Sequence, residues 1–342
     1  MKRVTLLCFS NPNKFGIYNV LLNLKKTLKN SKFDIKLYSQ KNLLGSIKYI
    51  NSSDILYLHG CWNFNYFIIL ILAKLNKKKI FFSPHGMLDP GSLNYKKIQK
   101  KISLFFYQKY ILKFSDFIIV NSELEKKNVK LLGINRNIVT IPHGIKIIDL
   151  KKIKKINSSV FKIIFFSRIH PIKGLSELIN FWINSIFLLD PLKYQLDVYG
   201  YAEDKEYLSS IKNTIIKYNI KNINIVSNNY FYDKRIINNY DLLISPSISE
   251  NFSLVVLEAL SLRVPVVTSV NMPWKFLENL GLGLTINFLN YQDSKKIFLF
   301  IKKLKEKKYK KQFVKNSTNL IRTKYNWHTI SRKYILLFEK FI

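Results

Sequence analysis

The sequence predicts an α/β protein built from two similar halves, and three observations support this prediction. Short apolar runs alternate with longer amphipathic stretches along the chain, which is typical of βα units around a parallel sheet. A charged, turn-forming stretch at residues 151–159 interrupts the alternation, which then restarts, so we interpret the stretch as a linker. The length of 342 residues favours two domains, and 48% hydrophobic residues suffice for two cores.

Residues 1–155 are predicted to form the first domain. Its strands are short apolar runs, expected at residues 4–9, 33–38, 54–58, 79–83, 116–120 and 138–141. The helices are expected in the longer intervals, at about 17–30, 64–75, 95–113 and 122–132.

Residues 156–325 are predicted to form the second domain by the same alternation. Strands are expected at 162–167, 195–199, 222–226, 242–245 and 264–268. Helices are expected near 174–189, 203–218, 232–239, 253–262 and 290–307. Residues 326–342 have apolar residues at helical spacing and are predicted to form a final helix.

The composition excludes several classes of protein. The longest uninterrupted apolar run, residues 66–73, is far shorter than the roughly 20 residues that a membrane-spanning helix needs. Two cysteines, Cys8 and Cys61, exclude a disulfide framework and a cysteine-based metal site. The basic first residues and the apolar run after them resemble a signal peptide, but the run is short and no cleavage site follows. We therefore expect a buried first strand and a cytoplasmic protein.

The charge is strongly positive, with 56 Lys and Arg against 21 Asp and Glu, a net +35. Such an excess suits nucleic acid or an anionic membrane surface. An AT-rich coding sequence, which overproduces Lys, Ile, Asn, Phe and Tyr, explains it as well, so a functional and a compositional origin both stay open. The aromatic residues follow core periodicity and no nucleic-acid-binding motif is found, so no nucleic-acid partner is expected.

Glycine is scarce, at 11 residues, and unevenly distributed. Six glycines lie just beyond the carboxyl ends of predicted strands: Gly16, Gly60, Gly86, Gly144, Gly174 and Gly200. Open α/β sheets bind ligands at these ends, and a phosphate needs a close approach of the backbone there. Ordinary βα turns also contain glycine, but the concentration points to a ligand crevice.

Two glutamates mark the segment after the predicted strand 242–245. Glu250 lies in a polar loop, and Glu258 lies eight positions further on, within the predicted helix. The free N–H groups at the start of that helix can bind a diphosphate. A carboxylate accepts two hydroxyls side by side, so Glu250 suits sugar hydroxyls and Glu258 a ribose diol. Two glutamates at this spacing also occur by chance.

Two cations follow the predicted strand 162–167. Arg168 and Lys173 lie on the loop that leads to Gly174 and the next helix. Positive charge at a helix N-terminus is unfavourable unless an anion is bound there, which favours a pyrophosphate site. Solvation of two surface side chains is the alternative.

Together these loops resemble glycosyltransferase family 4, the group 1 family of retaining sugar-nucleotide transferases with the GT-B fold. The matching segments are Ser83-Pro-His-Gly-Met-Leu-Asp-Pro90, Ile141-Pro-His-Gly-Ile145, Ser167-Arg-Ile-His-Pro-Ile-Lys-Gly174, Ser245-Pro-Ser247, Glu250-Asn-Phe252, Leu257-Glu-Ala259 and Pro265-Val-Val267. Met272-Pro-Trp274, Gly281-Leu-Gly283 and Tyr325-Asn-Trp327 extend the resemblance over nearly the whole chain. The combination in this order is specific, although each segment alone is not.

The resemblance implies two Rossmann-like domains whose parallel sheets face each other across a cleft, with the last helix crossing back to the first domain. It implies retaining transfer of a sugar from a nucleotide-diphosphate sugar to a hydroxyl of a glycan or lipid-linked acceptor, in surface polysaccharide or lipopolysaccharide synthesis. The sugar nucleotide is then a co-substrate, and neither a cofactor nor a metal is implied. In agreement, the sequence has no Asp-x-Asp and no histidines at ligand spacing.

The resemblance also assigns roles to individual residues. Arg168 and Lys173 hold the donor diphosphate, Glu258 holds the ribose, and Gly16 approaches the diphosphate from the loop after the first strand. The donor sugar is held by Glu250 together with the backbone of Asn251, Phe252, Ser253 and Leu254. His85 faces the donor sugar and the reaction centre, so the candidate catalytic residues are His85, Glu250, Arg168 and Lys173.

Four positions depart from the family pattern. Phe15 precedes Gly16 where two glycines are frequent, and a side chain of this size can restrict the close approach of that loop to a phosphate. Ser253 stands where Phe-Gly is usual, Arg263 replaces a common glycine, and His143 replaces a frequent asparagine.

Other interpretations stay open at this level. Another GT-B enzyme, such as a sugar-nucleotide epimerase or a phosphorylase, would use the same loops. A basic nucleic-acid-binding protein would show salt-dependent retention on nucleic acid without binding sugar nucleotides. An inactive GT-B scaffold is the third alternative.

The stretch 95–114 combines lysines with apolar and aromatic residues. Such a helix can lie on an anionic membrane where a lipid-linked acceptor is found, which would make the protein peripheral on the inner face of the cell membrane. A solvated helix with a buried face is equally consistent with the pattern. His59 and His143 are expected to be turn or core residues, and residues 62–67 a packed helix start rather than an acceptor groove.

Overall fold

A computed structural model describes residues 1–9, 15–39, 43–135, 137–148, 159–185, 190, 192–227 and 233–341. The chain divides into two compact units, residues 1–144 with 324–342, and residues 145–323. All but the last residue of the predicted linker, 151–159, lie outside the described residues.

In the described part of the first unit, six parallel strands form one sheet in the order β2-β1-β3-β4-β5-β6. The strands are β1 (Lys2–Leu7), β2 (Phe33–Tyr38), β3 (Ile55–His59), β4 (Lys79–Ser83), β5 (Phe117–Val120) and β6 (Ile138–Thr140). The helices are α1 (Phe15–Leu28), α2 (Leu43–Ser52), α3 (Asn65–Leu75), α4 (Pro90–Asn94), α5 (Lys97–Ser103), α6 (Lys109–Phe114) and α7 (Glu123–Lys130). A π-helical turn (Leu104–Gln108) joins α5 to α6.

In the described part of the second unit, six parallel strands form a sheet in the order β12-β11-β10-β7-β8-β9. The strands are β7 (Phe161–Phe166), β8 (Tyr194–Gly200), β9 (Ile223–Ser227), β10 (Leu242–Ser245), β11 (Val266–Ser269) and β12 (Gly283–Ile286). The helices are α8 (Leu175–Ile183), α9 (Lys205–Lys217), α10 (Leu254–Ser261), α11 (Ser294–Lys305) and α12 (Lys307–Leu320). The last helix, α13 (Trp327–Glu339), belongs to the first unit.

Both sheets have apolar strands because helices cover their faces, as parallel sheets require. Every residue of β3 and of β10 is buried. Helix α13 covers part of the first sheet with aromatic side chains. The ring of Phe338 lies 5.5 Å from that of Phe33 and 5.8 Å from that of Phe81, and the rings of Tyr334 and Tyr57 are 6.1 Å apart.

All eleven predicted strands are confirmed within two residues at each end. The edge strand β12, which has four residues and begins with a glycine, was not predicted, nor were the helices α2, α4 and α12. The helix expected near 232–239 is present in its described part as a 3₁₀ turn, Lys234–Asn239. The predicted ends of the helix 174–189 also differ, since α8 ends at Ile183 and residues 186–189 lie outside the described chain.

The order of the strands locates one position in each sheet where a ligand is expected. Parallel α/β sheets bind ligands at the carboxyl ends of strands, where the chain reverses its direction of winding. In the second sheet this switch point lies between β7 and β10, and in the first sheet it lies between β1 and β3. The predicted loops Ser167–Gly174 and Pro246–Ser253 directly follow β7 and β10.

Candidate active site

The two loops at the switch point of the second sheet pack directly against each other. The N–H of Ile248 donates to the carbonyl oxygen of Ile172 at 3.0 Å. A Cβ atom built on Gly174 would lie 2.2 Å from the carbonyl oxygen of Pro246, and Gly174 has a φ of +70°. Only glycine fits this close approach in this conformation. The contact fixes the position of Lys173 relative to the loop after β10.

Lys173 and Glu250 form an ion pair across these loops, although 77 residues separate them in sequence. Their side chains are only 16% and 13% exposed. An ion pair in such a site is screened by water much less than one on the open surface. Two of the predicted site residues are therefore brought into direct contact.

Arg168 lies on the same loop as Lys173 but has another partner. Its Nη1 atom donates to Oε2 of Glu203 at 2.5 Å, and both side chains are about one-third exposed or more. His170 shapes the loop between the two cations, because its Nδ1 atom accepts a hydrogen bond from the N–H of Ile172 at 3.2 Å.

The helix α10 begins at Leu254, one residue later than predicted. Its N-cap, Ser253, has a φ of +62°, and its side chain makes no capping hydrogen bond. The left-handed conformation explains why a glycine suits this position. The preceding Phe252 is buried against Trp274, whose Nε1 atom donates to the carbonyl oxygen of Phe252 at 2.5 Å. This contact anchors the loop that carries Glu250 and Asn251.

Glu258 lies one turn into α10 and forms an ion pair with Lys234. Its carboxylate is 12% exposed, and burial raises its pKa, which the Lys234 ammonium partly offsets. A largely buried carboxylate beside the more exposed side chain of Lys234 can accept hydrogen bonds from a diol. Lys234 was not among the predicted site residues, and it begins the 3₁₀ turn that precedes β10.

In the first unit, His85 lies on the loop after β4 with a φ of +53°. Its Nε2 atom is 3.0 Å from Nδ1 of His59, and its ring stacks on that of His143 with centroids 5.7 Å apart and an angle of 15°. Burial lowers the pKa of His85 to about 4 and that of His143 to about 3. Burial also lowers the pKa of His59 well below its ordinary value, so the three imidazoles are neutral at physiological pH.

His59 and His143 were expected to be turn or core residues, and their contacts with His85 were not predicted. A signal was present, because all three histidines follow strands as His-Gly dipeptides: His59-Gly60, His85-Gly86 and His143-Gly144. Strands β3, β4, β5 and β6 are neighbours in the sheet, so residues beyond their carboxyl ends converge.

Glu125 is a second residue that the sequence analysis missed. Its fully buried carboxylate accepts hydrogen bonds from the N–H of Gly86 at 2.5 Å and of Asn121 at 2.7 Å. Its own N–H donates to Oγ of Ser122, the N-cap of α7, at 3.1 Å. The spacing Ser-x-x-Glu is the sequence signature of such a capping arrangement. Glu125 thus anchors the loop that bears His85.

Gly16 is exposed at the second position of α1, and a Cβ atom built there would meet nothing within 4 Å. The loop before it, residues 10–14, and the side chain of Phe15 lie outside the described residues. Among the residues that the structure describes, no group of three or more His, Cys, Asp or Glu is arranged to hold a metal ion.

The chain matches two protein-family models. Residues 3–147 match Glycosyltransferase Family 4, and residues 146–274 match Glycosyl transferases group 1. One curated relative, an uncharacterized 41.2 kDa protein in the cps region of Klebsiella pneumoniae, is 28% identical over 272 residues, with 75% of this chain and 70% of that protein covered.

Solved structures share the fold over nearly the whole chain. The Anabaena protein HepE, crystallised with UDP and glucose, superposes with a TM-score of 0.78 at 14% identity, covering 99% of this chain and 100% of that one. A glycosyltransferase from Rickettsia africae has a TM-score of 0.79 at 17% identity, covering 99% and 98%. Sucrose-phosphate synthase from Thermosynechococcus elongatus has a TM-score of 0.74 at 13% identity, covering 99% of both chains.

Two Rossmann-like units, each with a parallel sheet, together with these neighbours, establish the GT-B fold. The two family models together extend from residue 3 to residue 274. The chain belongs to the group 1 glycosyltransferases of family 4, and it is a glycosyltransferase.

Proposed function

We propose that this glycosyltransferase moves a sugar from a nucleotide-diphosphate sugar to a hydroxyl of a glycan or lipid-linked acceptor, with retention of configuration at the anomeric carbon. The observation that carries the proposal is the ion pair of Lys173 and Glu250 at the switch point of the second sheet. It combines a cation for a diphosphate and a carboxylate for sugar hydroxyls beside the N-terminus of α10.

The donor diphosphate is proposed to bind to Lys173, Arg168 and the first N–H groups of α10. Ser253 does not cap these N–H groups with its side chain, and the helix N-terminus attracts negative charge. Glu258 binds the ribose hydroxyls, while Glu250 and the backbone from Asn251 to Leu254 bind the donor sugar. HepE was crystallised with UDP and with UDP-glucose, so uridine is the first base to test.

In the proposed reaction, the bond between the anomeric carbon and the β-phosphate oxygen breaks, and the acceptor oxygen bonds to the same face of that carbon. The acceptor proton moves to the leaving diphosphate, so that the products are the glycoside and the nucleoside diphosphate. Arg168, Lys173 and α10 stabilise the negative charge that develops on the leaving group. Neutral His85, held by His59 and by the Glu125-anchored loop, is proposed to face the donor sugar.

The acceptor and the cellular role rest on similarity. The relative from Klebsiella pneumoniae belongs to a cps region, which supports a role in surface polysaccharide synthesis. We extend the proposal to lipid-linked acceptors, including those of lipopolysaccharide, and to a cytoplasmic enzyme that is peripheral on the inner face of the cell membrane. No described helix has the length and apolarity to span a bilayer.

The test is to incubate the full chain with UDP-sugars and with lipid-linked or polysaccharide acceptors, and to measure the release of UDP. The anomeric proton of the first product is then observed by NMR. From an α-linked donor we expect an α-linked product, and a β-linked product would refute retention. Activity should persist after treatment with a chelator, since the proposal routes no step through a metal.

A further inference from the structure

The segment from Tyr95 to Phe114 exposes an unusual set of apolar side chains. On it, Ile98, Ile102, Phe105 and Phe106 are between 53% and 76% exposed, and Tyr95, Tyr110 and Phe114 are also exposed. The helix α5 has no buried residue. The sequence pattern also allowed a helix with a buried apolar face, and the structure excludes that arrangement for these four residues.

The segment is nevertheless firmly attached to the first unit by its other side. Ile111 and Leu112 of α6 are completely buried. Oε1 of Gln108 accepts a hydrogen bond from the N–H of Trp62 at 3.1 Å, and the rings of Tyr107 and Phe64 are 5.5 Å apart. The exposed apolar residues therefore form a fixed surface, which we call the α5–α6 surface.

The charge of the same surface is entirely positive. Six lysines lie on it, Lys96, Lys97, Lys100, Lys101, Lys109 and Lys113, and no Asp or Glu occurs between Asp89 and Asp116. The ammonium of Lys109 lies 4.1 Å from the ring centroid of Phe105 and 5.0 Å from that of Tyr110. Lysines that surround exposed aromatic rings can contact anionic head groups while the rings enter the acyl boundary.

We infer that the α5–α6 surface docks the enzyme on an anionic lipid bilayer, with Phe105, Phe106, Ile98 and Ile102 inserted at the interface. A bilayer meets both features, because it provides an apolar layer directly beneath negative charge. This inference rests on the proposed function, in which the acceptor is lipid-linked, and it names the membrane surface as a partner of the enzyme. Docking itself is measured without donor or acceptor, so its failure and the failure of sugar transfer are distinguishable.

Co-sedimentation of the full chain with vesicles tests the inference. One set of vesicles contains phosphatidylcholine alone, and the other also contains phosphatidylglycerol. We expect binding to the anionic vesicles and little binding to the neutral ones, with binding weakened by added salt. Phe105→Ser with Phe106→Ser should weaken binding about tenfold or more, since two large apolar groups lose their burial.

A matched pair of variants separates this surface from the general positive charge. Replacing Lys96, Lys97 and Lys101 by Gln should also weaken binding about tenfold. Replacing Lys307, Lys308 and Lys310 by Gln removes the same charge from α12, on which no described large hydrophobic residue is exposed, and should change binding little. Equal losses in the two variants would refute the inference, because net charge alone would then explain vesicle binding.

Two further outcomes would overturn the inference that the α5–α6 surface docks on an anionic bilayer. If the wild-type chain does not bind anionic vesicles, the surface is not a lipid-docking site. If light scattering shows a dimer that the double Phe variant abolishes, the occupant is a second copy of the chain. Retained circular dichroism and UDP binding in all variants show that the second unit and the fold are intact.

Discussion

Removing one member of the Lys173–Glu250 ion pair should destabilise the second unit. Two unit charges about 4 Å apart attract by about 4 kcal/mol at an effective dielectric constant of about 20. Removing one partner of a fully buried pair costs about 3–5 kcal/mol, because the other charge remains unpaired. These side chains are 16% and 13% exposed and therefore not fully buried. We expect Lys173→Met or Glu250→Gln to lower the free energy of unfolding by about 2–3 kcal/mol.

The double variant should lower the free energy of unfolding by less than the sum of the two single variants. We expect a difference of about 1 kcal/mol or more, because neither charge is left without its partner. Urea unfolding followed by tryptophan fluorescence measures this coupling. In a background with Trp62→Phe and Trp327→Phe, the remaining tryptophans, Trp182 and Trp274, are both buried in the second unit.

The control for this cycle is an exposed ion pair of the same unit. Lys193 and Asp190 are 2.6 Å apart at the surface, so Lys193→Met should leave the unfolding midpoint unchanged. If the effects of the two single substitutions at the buried pair add within about 0.5 kcal/mol, the residues do not interact energetically and the predicted coupling is refuted.

Arg263 has a φ of +61° at the end of α10, a conformation that glycine adopts without strain. Arg263→Gly should therefore raise the free energy of unfolding of the second unit by about 1 kcal/mol, whereas Arg263→Ala should not. Thermal unfolding of the two variants measures the difference. Gly174→Ala should lower both the melting temperature and UDP affinity, because the added Cβ would clash with the carbonyl of Pro246, and wild-type values would contradict the packing. Burial lowers the pKa of His85 to about 4 and that of His143 to about 3, below the ordinary value of 6.5. The unfolded chain therefore binds more protons below pH 6.5, and stability should fall as the pH decreases from 6.5 towards 4; a urea midpoint that rises on acidification would contradict this.

The strands could be predicted because each is a short apolar run that both faces of a parallel sheet bury. The edge strand β12 could not, since its four residues begin with glycine and only half of them are buried. Helix α12 was missed because lysines and polar residues dominate its sequence and hide the few buried positions, such as Phe313 and Leu320.

The candidate site could be predicted as a set of residues but not as a set of contacts. The loops after β7 and β10 indicate Arg168, Lys173, Glu250 and Glu258 by their place in the sequence. Which carboxylate pairs with which cation depends on the strand order, which brings β7 beside β10. The sequence alone therefore suggested that Arg168 and Lys173 act together, whereas the structure pairs Lys173 with Glu250 and Arg168 with Glu203.

The central claim is that the donor binds at the switch point of the second sheet, and titration calorimetry with UDP and UDP-glucose tests it most directly. We expect the wild-type chain to bind both ligands. Lys173→Met should weaken binding of both about tenfold or more, through loss of a charge-assisted hydrogen bond. Glu250→Gln should weaken UDP-glucose more than UDP, because Glu250 is proposed to contact the sugar. If folded variants bind both ligands as tightly as the wild type, the donor site lies elsewhere and the account is wrong.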